Sequence, residues 1–242
     1  MAKVNGLNVR FYVEGYDLSG DANALSAMGY TNELLDVTAL DSSARKRIIG
    51  IVDSEITCDA WFDNAASKQH AIWTSNSGKQ PTTDQEIVIP FGSAVGDQFV
   101  GLVAKQGTYS VTRSPGSAIS ANAVFSANGS AAEFGKMLTA HDDTHSTAGS
   151  GTVVDSGASS SNGGTGYLQI LSLASGSVTV NLQESTSSGG SYSNFMTFST
   201  VAAAAAPAAE RLTMEGTVQR YIKVTTTGTF SNAKIVVGFS RS

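Results

Sequence analysis

Four carboxylates carry the most suggestive spacing in the chain. Asp53, Glu55 and Asp59 occupy odd positions of a strand-like run from about Ile48 to Phe62, with Thr57 and Trp61 among them, and Asp63 continues the series just past its end. Ile56, Cys58, Ala60 and Phe62 occupy the even ones. Side chains alternate across a strand, so this run predicts one apolar face and one acidic face. Paired carboxylates are the equipment of a glycosidase, one acting as acid and one as base or nucleophile. No cluster of aromatics that would grip a sugar accompanies them. The sharper expectation is an acidic face lining a water-filled passage, because like charges two residues apart repel and prefer water.

A second group is His141, Asp142, Asp143 and His145. Histidines at i and i+4 share one face of a helix and, with a carboxylate, form a metal-binding pattern. The segment from Ala140 to Gly151 does not read as a helix, so His141, Asp143 and His145 are weak metal candidates, and a solvated polar joint is the expected reading. No cofactor is implied. His70 reads as an ordinary helix residue. The nucleophile elbow of the hydrolases and the phosphate-cradling glycine loop are both absent from the sequence. Asn128-Gly129-Ser130 matches a glycosylation sequon and reads as a turn. Arg45, Lys46 and Arg47 form the densest basic cluster. Three charges fall short of a nucleic-acid footprint; the cluster reads as a solvated loop or as an inter-subunit contact loop.

The elements that must position these residues are mostly strands. Val9, Phe11 and Val13 alternate with polar residues, and 32–40 reads as a second strand. Asp63 or Asn64 is the expected cap of a short amphipathic helix over 65–73. Strands are expected at 85–91, 98–112 and 119–127, and again near 152–155, 167–173, 178–184, 194–199, 210–215, 219–226 and 233–239. The alanine run 202–206 reads as a connection, ended by Pro207. A Gly/Ser-rich stretch over 146–165 reads as linker plus first strand region. The expected organisation is therefore a first domain over 1–145 and a C-terminal β-sandwich over 166–242, which could begin near 150. The fold class is mainly β: an N-terminal sandwich or barrel with one short helix, then an all-β sandwich of immunoglobulin-like or jelly-roll type.

Composition bounds the function. Only 14% of the 242 residues are charged and 41% are hydrophobic, against roughly 25% charged in an average globular chain. The charge is unevenly divided: 1–145 holds 16 acidic and 10 basic residues, whereas 146–242 holds 4 and 5. A net charge of −5 argues against a phosphate-gripping protein. Cys58 is the sole cysteine, which leaves no internal disulfide. No apolar run is long enough for a membrane helix, and the first residues show no apolar run with a cleavage site, so no secretory leader and no membrane partner are expected. Low charge fits a surface buried against other copies of the same chain, since interface cores are depleted in charge.

The order of short patterns resembles one family. Tyr16-Asp17-Leu18-Ser19-Gly20 is followed by Asp36-Val37-Thr38-Ala39-Leu40-Asp41-Ser42, by Arg45-Lys46-Arg47, and by the strand from Ser54 to Trp61 ending in Phe62-Asp63. The second half continues with Thr152 to Asp155, Gly163 to Gln169, Val178 to Gln183 and Gly216 to Tyr221. This order resembles the major tail tube proteins of long-tailed bacteriophages, in the form with an appended C-terminal β domain. It departs from them at Asp41-Ser42-Ser43, where a glycine and an aromatic are often seen. The resemblance implies a non-enzymatic virion protein. Its subunits would form stacked homohexameric rings around a tape-measure protein, meet terminator and distal tail proteins at the ends, and pass DNA through the lumen without binding it. The chain would reside in the virion tail and assemble in the host cytoplasm. An acidic wall repels phosphates, so Asp53, Glu55, Asp59 and Asp63 are the expected lumen-facing residues. The alternative is a decoration or adhesion module that binds capsid or a cell-surface glycan through its C-terminal domain.

Overall fold

The computed structural model describes residues 9–141 and 143–242. The molecule is mainly β. The first part runs β1 (Tyr12–Val13), β2 (Tyr16–Asp17), β3 (Ala22–Ser26), β4 (Thr31–Asp36), β5 (Arg47–Asp53) and β6 (Glu55–Trp61), then the helix α1 (Gln69–Trp73). It continues with β7 (Gln85–Pro90), β8 (Gln98–Thr112), β9 (Ser120–Ala127) and β10 (Glu133–Met137). Short strands β11 (Thr144–His145), β12 (Gly149–Ser150) and β13 (Val154–Asp155) follow. The rest comprises β14 (Gly164–Ser185), β15 (Ser193–Thr197), β16 (Val201–Ala202), a 3-10 turn over Ala203–Ala205, β17 (Ala208–Met214), β18 (Tyr221–Thr227) and β19 (Phe230–Arg241).

One antiparallel sheet runs through both parts, in the order β2-β1-β7-β8-β10-β19-β14-β17. Two long strands turn it into layers. β8 pairs with β7 and β10 over its first half and with β9 over its second, with a bulge between Gln106 and Thr108. The second half of β8 thus leads into the layer β8-β9-β6-β3. β14 makes the same crossing, pairing with β17 and β19 first and with β15 and β18 after Ser177. A bulge kinks and twists a strand, which lets one strand serve two layers.

Each pair of layers encloses an apolar core. Phe11, Ile56, Trp73, Ile87, Leu102 and Phe125 anchor the first; Leu168, Ile170, Leu182, Phe198, Val224 and Ile235 anchor the second. A third cluster lies between them: Tyr12, Val88, Phe99, Met137, Tyr167 and Val236. Phe99 meets Tyr167 edge to face at 5.8 Å between ring centroids. Glycine makes this approach feasible, since a Cβ on Gly101 would lie 2.6 Å from the Tyr167 ring and one on Gly238 2.6 Å from the Phe99 ring. Residues 149–155 lie along β18 as β12 and β13.

Two local expectations need revision. The run from Ile48 to Phe62 is not one strand. It breaks at Ser54, whose buried hydroxyl accepts a hydrogen bond from the Ala132 amide at 2.8 Å, while its carbonyl accepts one from Ala127. Satisfying that turn inside the core pulls Ser54 out of line, so β5 and β6 belong to different sheets. The helix is also shorter than 65–73. Ser67 adopts φ +62°, which a helix cannot accommodate, and Asp63 instead caps a turn by accepting from the Ala65 amide at 2.8 Å.

Candidate assembly surface

Among the described residues, β4 and β5 form a two-stranded sheet of their own, with no strand pairing to the main sheet. Its register pairs Thr31 with Asp53 at the base and Asp36 with Arg47 at the far end. Consecutive residues on a strand point to opposite faces, so one face of a packed hairpin should be buried. Here neither is. Leu34, Leu35, Ile48, Ile49, Ile51 and Val52 are all exposed, Ile49 at 70% and Ile51 at 78%. Leu40, in the connecting loop, is fully exposed. The apolar residues are β-branched or long, which favours strand formation. An isolated two-stranded hairpin is nonetheless marginal in water.

The hairpin tip carries charges of both signs, with Asp36 and Asp41 exposed there beside three cations. Arg45, Lys46 and Arg47 stand exposed at the tip. There the Thr38 hydroxyl accepts from the Lys46 amide at 2.8 Å and the Asp36 carboxylate accepts from the Thr38 amide at 2.9 Å. The base opens on a groove of about 730 Å³ between the hairpin and the turn after β9. Glu33 and Asp53 supply its acidity, Ile51, Val52, Ala127 and Ala131 its apolar lining, and Ser130 a buried hydroxyl with no hydrogen-bond partner among the described residues.

The four carboxylates do not share one strand face. Glu55 and Asp59 are exposed on β6, opposite the buried Ile56, Cys58 and Ala60. Asn122 of β9 donates to Asp59 at 2.8 Å. Asp53 stands on the hairpin at the groove, and Asp63 lies beyond the end of β6 in its capping role. The two cores and the alternation of β6 therefore bring two of the four together.

His141 is buried beside the third cluster, and its carbonyl accepts from the Tyr12 hydroxyl. His145 Nε2 lies 3.8 Å from Asp143. Asp142 lies outside the described residues. Among the described residues no group of three His, Cys, Asp or Glu side chains is arranged to hold a metal ion. His70 Nδ1 shares a hydrogen bond of 2.7 Å with the Tyr109 hydroxyl. Cys58 is enclosed in the first core, and burial pushes its thiol up to about 12.

A buried polar seam between the two parts escaped the sequence reading. The turn between β1 and β2 places Glu14 and Gly15 at positive φ, the pattern of a tight hairpin. The Gly15 amide donates to the Gln169 side chain at 2.5 Å, and a Cβ at Gly15 would sit 2.6 Å from the Ala208 nitrogen. Glu14 accepts from the Glu86 amide at 2.5 Å. Burial and the charge of Glu14 push the Glu86 carboxyl up to about 8, and burial raises Glu14 as well. Nearby, Arg211 of β17 meets Glu133 of β10 at 3.1 Å, and the Tyr167 hydroxyl donates to the same carboxylate. The partners are far apart in sequence, 154 residues for Gly15 and Gln169, so no local pattern announces them. The one local signal is the Glu14-Gly15 turn itself.

No protein-family model matches the chain, and no curated protein does. Among solved structures, one likeness is to a chain described as "Virion of native gene transfer agent (GTA) particle". It has 17% identity over 54% of this chain and 97% of that one, with a TM-score of 0.40. Another is to the SPP1 Dit protein, described as a paradigm of the hub adsorption apparatus in Gram-positive infecting phages. It has 10% identity over 96% and 98%, with a TM-score of 0.37. A third is to a chain of the phage p2 baseplate in its activated conformation, with 8% identity over 97% and 98% and a TM-score of 0.34. TM-scores of this size mark partial likeness and do not identify a fold.

Proposed function

We propose that this protein is a non-enzymatic structural subunit of a long-tailed phage tail, whose copies assemble into stacked homohexameric rings around a lumen for DNA. The observation that carries the reading is the free-standing hairpin. Contiguous exposed apolar surface of this kind marks a protein–protein contact, and a two-stranded ribbon gains stability when another surface covers it. The order of sequence patterns from Tyr16 to Tyr221 supports the same family. The acidity of β6 fits a DNA passage, because Glu55 and Asp59 would repel phosphates from a wall they help to form. In this reading Asp53 and Asp63 flank that wall. The tape-measure protein, and the terminator and distal proteins at the tail ends, are the expected partners. Residues 1–145 would build the tube, with the C-terminal sandwich outside it.

Sedimentation velocity on the purified full-length chain tests the reading. Species of six subunits and larger multiples, growing with concentration, support it. A chain that stays monomeric at every concentration, or that attaches to capsids as a monomer, overturns it in favour of a decoration module.

A further inference from the structure

The turn after β9 carries a chemistry that neither the sequon nor self-assembly uses. Asn-Gly occurs at Asn5-Gly6, Asn128-Gly129 and Asn162-Gly163. Asn5-Gly6 lies outside the described residues. An asparagine followed by glycine is prone to internal attack, because no side chain shields or stiffens the next backbone nitrogen. The attack needs freedom at that nitrogen and at the asparagine side chain. The dipeptide alone ranks the pairs together; their surroundings separate them.

Asn128 and Gly129 are both exposed. Gly129 has φ +83°, and a Cβ built there would meet no atom of the described residues within 4 Å. Its amide makes no hydrogen bond among the described residues. The Asn128 side chain is held where Nδ2 donates to Asp84 at 2.8 Å on the surface, a bond open to competition from water. Asn162 is exposed as well, but Gly163 is buried. A Cβ at Gly163 would lie 2.0 Å from the Met214 carbonyl oxygen. The Gly163 carbonyl accepts from the Ser242 amide at 3.3 Å, and β14 begins at the next residue. Rotating the peptide after Asn162 toward its side chain therefore requires local unfolding, whereas the turn at 128–129 can rotate in water.

We propose that Asn128 is a site of spontaneous deamidation, selected over Asn162 by the openness of its turn. The Gly129 nitrogen attacks Cγ of Asn128. The N–Cγ bond forms, the Cγ–Nδ2 bond breaks, and the Gly129 amide proton leaves with the amine as ammonia. Water then opens the resulting succinimide ring. Attack at Cγ leaves an aspartate; attack at the backbone carbonyl carbon leaves an isoaspartate, whose main chain runs through Cγ. Either product sets a carboxylate where an N–H had met Asp84. Lys105, 2.8 Å from Asp84, then faces two carboxylates in place of one. Gly129 and Ser130 line the groove that holds Glu33 and Asp53. The new charge therefore falls beside an already acidic groove and repels Asp84, which had tied the turn down.

The test incubates the purified full-length protein at mildly alkaline pH. Peptide mapping by mass spectrometry, with an isoaspartyl methyltransferase assay, follows each Asn-Gly pair. In the folded protein Asn128 should convert faster than Asn162 by about tenfold or more. In urea the two should convert at similar rates, because only the local sequence then acts. Similar rates at the two sites in the folded protein, or an Asn128 that stays intact under native conditions, would overturn the proposal. So would loss of ammonia from Asn128 by attack of Lys105, which would appear as two joined peptides.

Discussion

Glu86 offers the most quantitative test of the seam between the two parts. Its carboxyl is largely buried, Oε2 has no hydrogen-bond partner among the described residues, and Glu14 lies beside it. Asp84 bears on Glu14, Glu210 and Arg211 bear on Glu86, and Arg211 alone favours its charged form. The folded-state value near 8 stands against an ordinary 4.5. A carboxyl raised in this way binds its proton more tightly in the folded state. Folding stability is then fully present below pH 4.5 and is lost as the pH rises through about 8. At about 1.36 kcal/mol per unit, the full loss is roughly 5 kcal/mol; relaxation and water entry at the seam would reduce it to roughly 2–5 kcal/mol. Glu86→Gln removes the titration and keeps the shape. Urea unfolding from pH 5 to 9 should show wild type losing stability across this window and Glu86→Gln losing much less. The variant should overtake wild type at the alkaline end. Parallel curves for the two proteins would refute the reasoning.

Other perturbations follow from the same contacts. Gly101→Ala forces a methyl against the Tyr167 ring, and should cost roughly 1–3 kcal/mol in chemical unfolding, as overpacking does. Arg211→Ala leaves the Glu133 carboxylate half-buried without its cation, and should cost roughly 2–4 kcal/mol; Arg211→Met combined with Glu133→Gln should recover part of it. The Cys58 thiol, buried and held up to about 12, should resist a thiol reagent in the folded protein and react fully in denaturant. Fast labelling under native conditions would show that the first core opens readily.

Strands with one buried face were legible in the sequence. β8 follows its expected range to the residue, and β6 presents Ile56, Cys58 and Ala60 inward as alternation requires. Two errors share a cause. The break at Ser54 and the fusion of 167–173 with 178–184 into one β14 both depend on distant partners. Ser54 leaves the strand to bond Ala132, while Ser175 and Gly176, turn-like in composition, stay within β14 because they pair with Ser231 and Phe230 of β19. No Gly or Pro marks the first event, and Gly176 misleads at the second. The acidic set was half legible for the same reason, since the break removes Asp53 from the face of Glu55 and Asp59. The hairpin's exposure was not legible, because its apolar residues read as core until the structure leaves both faces open. The seam required three-dimensional proximity between Gly15, Glu86, Gln169 and Arg211, which no local pattern encodes.

Electron microscopy of the concentrated full-length protein tests the central claim most directly. The account predicts hollow rings of six copies that stack into tubes, with β6 facing the lumen and the hairpin covered by a neighbouring copy. Dispersed single subunits, or closed assemblies in which the hairpin remains bare to solvent, would contradict it.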